Sequence, residues 1–200
     1  MITFKINNQE VKAKQGWTVL ETAREYGIDI PTLCHHPAVE PSGACRLCMV
    51  EMREGEWSKL VASCIFPVKE GLDIHTETPK VHNVRRWILE MLLASCPASP
   101  EVVELAKKHG VNTTRFESHD PGQKCLICGL CQRVCDEVVG VSAISIVDRG
   151  VHKKVGAPFL QPVDTCVSCG SCLTVCPTDA MKDLFDSVRL KPKTNLSQLV

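Results

Sequence analysis

Net charge is missing from this chain: 23 Lys and Arg balance 23 Asp and Glu over 200 residues. With neither a strong net charge nor a long basic block, the electrostatic footprint of a nucleic-acid or membrane-surface protein is excluded. The short stretch at Lys191 to Lys193 reads as a solvated tail. A charged leader followed by an apolar stretch is also lacking, since Met1 leads straight into a strand-like pattern. Arg85-Arg86 is internal and cannot act as a twin-arginine signal. No apolar run is long enough to span a bilayer, and the longest, near Trp87 to Ala94, is interrupted by Glu90. Aromatic residues are few, and no Gly-rich dinucleotide fingerprint follows a strand, so binding of NAD or flavin by this chain is not expected. These absences leave a cytoplasmic protein of one or two domains, without nucleic-acid binding or direct membrane insertion.

What the chain has is cysteine, thirteen residues of it. Disulfides are rare in the cytosol, where such patterns mark metal or redox sites, and the odd count argues against a full disulfide framework. Eight of the thirteen fall in two matching runs, Cys125, Cys128, Cys131, Cys135 and Cys166, Cys169, Cys172, Cys176, offset by 41 residues, with Pro177 after the second. Each reads C-x2-C-x2-C-x3-C, the bacterial ferredoxin signature, in which the fourth cysteine ligates the other cluster. One 4Fe–4S cluster is therefore assigned to Cys125, Cys128, Cys131 and Cys176, and the other to Cys135, Cys166, Cys169 and Cys172. Gly129 and Gly170 ease the backbone where the loop closes on the cluster. Zinc is the alternative for paired C-x2-C units, but it normally takes two cysteines from each of two knuckles. Leu126, Ile127, Leu130, Val134, Val163, Val167 and Val175 interleave the ligands as a dry shell. Short strands are expected at Ala143 to Val147 and near Phe159.

Toward the N-terminus, residues 2–6 and 10–13 alternate about Asn7-Asn8-Gln9 and read as a hairpin. Thr18 with Glu21 three residues on is a capping-box pattern that opens a helix ending at Gly27. Hairpin, helix and then a cysteine loop is the order of a β-grasp ferredoxin. The loop supplies Cys34, Cys45, Cys48 and Cys64, spaced C-x10-C-x2-C-x15-C, which suits a 2Fe–2S rhomb; the plant-type pattern has C-x4-C in place of C-x10-C. Ser42, Gly43 and Ala44 let backbone amides approach the bridging sulfides. Strands at 47–52 and 59–64 would hold Cys48 and Cys64. His35 and His36 adjoin Cys34 and could be Rieske-type ligands, although four cysteines already satisfy both irons, so hydrogen-bonding roles are expected.

A strand at 72–76 closes this domain. A helix over 80–95 places Val81, Val84, Ile88, Met91 and Leu92 on one face and Arg85, Arg86 and Glu90 elsewhere. A second helix runs from Ser99 and Pro100 to Gly110. Trp17, Trp57 and Trp87 are expected to be packing residues, and 112–123 a linker. The fold class is α+β: residues 1–78 form a β-grasp 2Fe–2S domain and 79–122 a helical connector. Residues 123–182 form a double 4Fe–4S domain and 183–200 a tail without trusted periodicity.

The segments IPTLCHHP, GACRLCMVE, LVASC, EGLDIHT and VRRWILEMLLAS resemble the N-terminal part of the large iron–sulfur subunit of respiratory complex I. They are equally similar to the small diaphorase-side subunit of bidirectional NiFe hydrogenases and to the N-terminal region of iron-only hydrogenases. CLICGLCQRVCDEV resembles the double-cluster domain of the same proteins, and the match covers about residues 1–96 and 122–180. In that family the helix ending LLA is followed by H-x3-C-x2-C-x5-C, holding a further 4Fe–4S cluster. Here Cys96 falls at the histidine position, Pro100 and Val103 at two cysteines, and His109 at the last. That cluster is expected to be absent and Cys96 to be a buried free thiol. Its loss leaves two routes between the N-terminal cluster and the double-cluster domain: closer packing of the domains, or a bridging partner.

The resemblance implies an electron-transfer subunit without an active site of its own. Its partners would be an FMN-containing, NAD(P)H-oxidising flavoprotein and a terminal enzyme or ferredoxin. Relatives of this reduced form resemble subunits of soluble hydrogenase or formate dehydrogenase complexes, including electron-bifurcating ones. The alternatives are a hydrogenase or dehydrogenase catalytic subunit, which would need a further domain with active-site ligands, and an iron–sulfur or zinc sensor module, which would need a nucleic-acid surface.

Overall fold

Asn7 and Asn8 both take left-handed backbone, at φ 50° and 67°. That is the two-residue turn whose twist matches the flanking strands. It joins β1 (Ile2–Ile6) to β2 (Gln9–Ala13) in antiparallel register, so the expected hairpin forms with its second strand one residue longer. The computed structural model describes residues 1–161 and 163–188. β3 (Met49–Glu54), β4 (Trp57–Ala62) and β5 (Asp73–His75) complete a five-stranded mixed sheet in the order β2-β1-β5-β3-β4. β5 inserts parallel to β1 and antiparallel to β3. α1 (Val19–Glu25) packs across one face.

Its start is fixed locally. The Thr18 hydroxyl accepts from the Glu21 N–H at 3.2 Å, and the Glu21 carboxylate accepts from the Thr18 N–H at 2.6 Å. Val19, Leu20 and Ala23 then meet Phe4, Ile6, Val11, Val50 and Ile74 in the first core. Each such side chain, fully buried, stabilises the fold by roughly 1.5–3 kcal/mol.

α2 (Pro79–Ser95) is capped by Thr78, and α3 (Pro100–Lys108) by Ser99, each with proline in its first turn. The pair lies over the cysteine loop, where Ile88, Leu89, Cys96, Val102 and Ala106 share a second core with Leu33, Cys34, Cys45 and Leu47. The buried stripe of α2 differs from expectation. It includes Arg85, 1% exposed, whereas Met91 stands half in solvent. Arg85 is inside because its guanidinium finds partners there: the Met49 carbonyl at 3.1 Å and the Glu77 carboxylate at 3.3 Å. Trp57 is no packing residue either. It begins the edge strand β4 and is 79% exposed. Trp87 is also half exposed, with the Arg115 guanidinium 4.2 Å from its ring centre; Trp17 alone of the three packs against the first core.

The C-terminal part has little regular structure. α4 (Leu130–Arg133) continues into a π-helical turn over Val134–Val138, and α5 (Ser171–Thr174) is its counterpart in the second run. Gly129 and Gly170 precede these helices at φ 74° and 76°, and Ile127 and Ser168 are left-handed at the equivalent earlier position. The internal repeat is thus a repeat of backbone conformation. β6 (Ser145–Val147) pairs with β7 (Lys154–Gly156). The second strand therefore lies before Phe159, which sits in a 3-10 turn. Pro158, with no N–H to donate, cannot continue the ladder. α6 (Ala180–Val188) runs into the segment read from sequence as an aperiodic tail. Residues 189–200 of that tail lie outside the described residues.

Candidate functional site

All thirteen cysteines are free thiols. In the N-terminal half Cys34, Cys45, Cys48 and Cys64 are all buried. Cys48 precedes β3 and Cys64 follows β4, just beyond the ends of an antiparallel pair, so the strands begin and stop two residues later and earlier than expected. Leaving the ladder at these points lets the two side chains turn toward each other, and their sulfurs lie 3.3 Å apart. Cys34 Sγ accepts from the Cys45 N–H at 3.3 Å. A hydrogen bond from the Cys45 thiol, opposed by burial and aided by the Ala44 and Cys45 amides and the Ser42 hydroxyl, lowers the Cys34 thiol. The same sharing with Cys64 lowers Cys48, and the partners Cys45 and Cys64 are pushed up. His35 and His36 are engaged elsewhere: Arg24 donates to His35 Nδ1 at 3.0 Å, and His36 Nδ1 accepts from the Ala38 N–H at 3.2 Å.

The two C-terminal runs interleave. Cys176, the last of the second run, lies within electrostatic reach of Cys125, Cys128 and Cys131, and its charge helps raise all three thiols. Burial is the larger cause, and it takes Cys128 to about 11. Conversely Cys135, the last of the first run, lines one small pocket with Cys166, Cys169 and Cys172. Val139, Val141, Ala143 and Ile144 complete its apolar wall. Cys135 Sγ accepts from the Ala143 N–H and Cys125 Sγ from the Ile127 N–H, at 3.3 and 3.4 Å. Such N–H donors favour negative charge on sulfur. Cys169 is exposed, with its sulfur 3.4 Å from the Ser171 hydroxyl, and Val167 beside it is exposed rather than part of a dry shell. Among the described residues no three His, Cys, Asp or Glu side chains converge on one point as ligands of a single ion. Backbone N–H groups are instead aimed at the sulfurs of Cys34, Cys125 and Cys135, and clustered thiols with such donors fit polynuclear sulfur-ligated groups.

The N-terminal thiols and the first C-terminal group are neighbours. Cys45 and Cys128 line the same crevice, with Ile88, Leu92 and Leu126 between them, and the charge of Cys34 reaches Cys128. The two halves are thus in direct contact, one of the two routes left open by the sequence. Cys96 is fully buried beneath this crevice region, its thiol donating to the Leu92 carbonyl at 3.1 Å, and burial followed by the Cys125 charge pushes it up to about 12. Arg133, Val39 and Glu137 were not expected to matter, yet they join the halves. Arg133 donates to the carbonyls of Cys34 and Glu40, Glu137 accepts from the Glu40 N–H, and Val39 is buried in the C-terminal core. The one signal in the sequence is a charged Arg133 inside a ligand run whose other intervening residues are uncharged.

Residues 1–79 match the family described as "2Fe-2S iron-sulfur cluster binding domain", and residues 124–180 match the "4Fe-4S dicluster domain". An NADH-quinone oxidoreductase subunit from Rickettsia bellii is 30% identical over 90% of this chain and 30% of its own length. The NADPH-Fe(3+) oxidoreductase subunit alpha of Geobacter sulfurreducens is 29% identical over 90% of this chain and 24% of its own. A chain in the crystal structure of an NAD+-reducing [NiFe]-hydrogenase superposes with a TM-score of 0.68 at 31% identity, covering 78% of this chain and 74% of that one. Fold and thiol groups define an iron–sulfur protein of the electron-transfer class, with a 2Fe–2S domain followed by a 4Fe–4S dicluster domain. The chain belongs to the family of iron–sulfur subunits that includes this NADH-quinone oxidoreductase component and its counterpart in NAD+-reducing hydrogenase. It spans about 30% of the length of the first of these curated relatives. No described helix is long and apolar enough to cross a membrane.

Proposed function

We propose that this chain relays electrons between an FMN-containing flavoprotein that oxidises NAD(P)H and a terminal redox partner such as a hydrogenase, formate dehydrogenase or ferredoxin, in the reducing cytoplasm. Cys34, Cys45, Cys48 and Cys64 would hold one 2Fe–2S cluster. Cys125, Cys128, Cys131 and Cys176 would hold one 4Fe–4S cluster, and Cys135, Cys166, Cys169 and Cys172 the other. The observation that carries this reading is the serial packing of the three thiol groups: Cys34 and Cys45 against Cys128, and Cys131 in one core with Cys135 and Cys172. Bound clusters supply one-electron storage with little bond chemistry. The chain's own part is to set the cost of each added charge: amides of Cys45, Ile127 and Ala143 lower it, and the apolar walls raise it. Exposed Cys169 makes the last group the natural contact for an external acceptor. With twelve thiols committed, no iron keeps an open position for substrate.

Anaerobic assembly of the chain followed by iron and sulfide analysis and EPR tests this. About ten irons per chain are expected, two, four and four. A colourless, zinc-filled protein would overturn the reading, and about fourteen irons would restore the further cluster at Cys96 and His109.

A further inference from the structure

Ten residues separate Cys34 from Cys45, where plant-type proteins have four. The longer loop is not idle. Its middle residue Val39 leaves the N-terminal domain and is buried with Leu130, Val134, Ala143 and Met181 in the C-terminal core. The next residue is held on both backbone groups: the Glu40 N–H donates to the Glu137 carboxylate at 2.7 Å, and the Glu40 carbonyl accepts from Arg133 Nη1. Arg133 Nη2 donates at 3.1 Å to the carbonyl of Cys34 itself. One guanidinium, placed between Cys131 and Cys135 on α4, therefore grips the backbone of an N-terminal ligand residue 99 positions away. A planar fork presents separate, fixed N–H donors to two carbonyls, a preorganised geometry that a compact ammonium on a flexible stem does not reproduce.

Resting on the relay reading above, we infer that the Cys34–Cys45 loop is a strap, fastened by Arg133 and Val39, that fixes the distance between the N-terminal centre and the C-terminal pair. Arg133 is the positioning residue for transfer between them. Tunnelling falls steeply with separation, so a loop that merely tethered the domains would leave the rate to chance. The strap removes that freedom without adding a ligand, and the loop's extra length is what reaches the C-terminal core.

The test uses the full chain with its clusters assembled, comparing the parent with Arg133→Gln, Arg133→Lys and Val39→Ala. Pulsed EPR reads the dipolar interaction between the reduced N-terminal centre and its neighbour, and hydrogen exchange reads the amides of Val39 and Glu40. Arg133→Gln is expected to broaden the distribution of dipolar interactions at unchanged iron content. Exchange at Glu40, whose N–H donates to Glu137, should rise about tenfold or more as the loop loosens, the scale of the charge-assisted bond lost at the Glu40 carbonyl. Arg133→Lys should fall between. Val39→Ala, which leaves every polar contact in place, should broaden the same interaction and keeps the test decisive if Arg133→Gln assembles poorly. Parent-like dipolar spectra in both Arg133→Gln and Val39→Ala would overturn the strap, even if exchange rises. A parent chain holding far fewer than ten irons strikes at the relay instead, and the exchange comparison then decides by itself whether Arg133 holds the loop.

Discussion

Glu51 shows how one residue can be costly and stabilising together. It lies on β3, 3% exposed, within 3.2 Å of both the Lys80 ammonium and the Arg53 guanidinium. Burial alone would raise its carboxyl, but hydrogen bonds from Ser58, Thr78, Lys80 and Arg53 outweigh it and hold the group at about 2, against an ordinary 4.5. A folded-state value below the unfolded one gives stability that is present above pH about 4.5 and lost as pH falls toward 2. The parent and Glu51→Gln should therefore differ most in urea midpoint near neutral pH and converge on acidification; a difference independent of pH would contradict the assignment. Cys96 makes the opposite case, a buried thiol that burial raises and that lies outside the three proposed ligand sets. Cys96→Ala should leave the iron count unchanged at a cost of about 1 kcal/mol in stability, and loss of four irons would show it to be a ligand. The grouping proposed for the C-terminal cysteines can be read from sequence because three of each four lie on one short loop, where spacing constrains geometry. Arg133 was not, because its partners Cys34 and Glu40 are remote in sequence and backbone carbonyls leave no signature in side-chain identity.

At the scale of elements, legibility follows how local the determinant is. The capping box at Thr18 and Glu21, the Ser99-Pro100 start of α3 and the Asn7-Asn8 turn were all readable, since each is closed by hydrogen bonds or backbone preferences within a few residues. Thr18→Ala should cost about 1 kcal/mol, measured by denaturation, because it leaves the Glu21 N–H without its cap. The face of α2 was misread because apolar periodicity assigns arginine to solvent. Arg85 is drawn in by tertiary partners, and it anchors α2 to β3 through the Met49 carbonyl, one residue past Cys48. Arg85→Ala should destabilise by about 2–4 kcal/mol, the range for emptying a large buried site. Arg85→Met, which keeps most of the volume, should recover part of that loss. Equal losses would mean that the hydrogen bond, rather than packing, sets the cost. The strand expected near Phe159 failed for a related reason. Pro158 interrupts the apolar stretch before Phe159, and the pairing partner of β6 is instead the less apolar Lys154–Gly156.

As a whole molecule, the chain divides into a half that holds itself together and a half held by what it binds. The five-stranded sheet and α1 enclose a core of Phe4, Ile6, Leu20, Val50 and Ile74 that owes little to cysteine. The C-terminal core contains Cys131, Cys135 and Cys172, with Cys125, Cys128, Cys166 and Cys176 packed against it. Around them stand two four-residue helices, one continued by a π-helical turn, a ribbon of three-residue strands and the nine-residue α6, elements too short to persist unaided. Burial holds Cys128 and Cys172 at about 11, so without metal they are neutral at pH 7, and ligation must displace their protons. Assembly in this half should therefore release protons and tighten as pH rises toward that value. Removing the metal under reducing, anaerobic conditions should let amides across 123–182 exchange at nearly unfolded rates, while β1 to β5 keep protection. The amide of Glu40, although it belongs to the N-terminal half, should lose protection together with the C-terminal half, because its acceptor Glu137 is there. Native-like protection of 123–182 without iron would show that its fold stands on packing alone. Continued protection of Glu40 after that half has melted would place its anchor within the N-terminal domain.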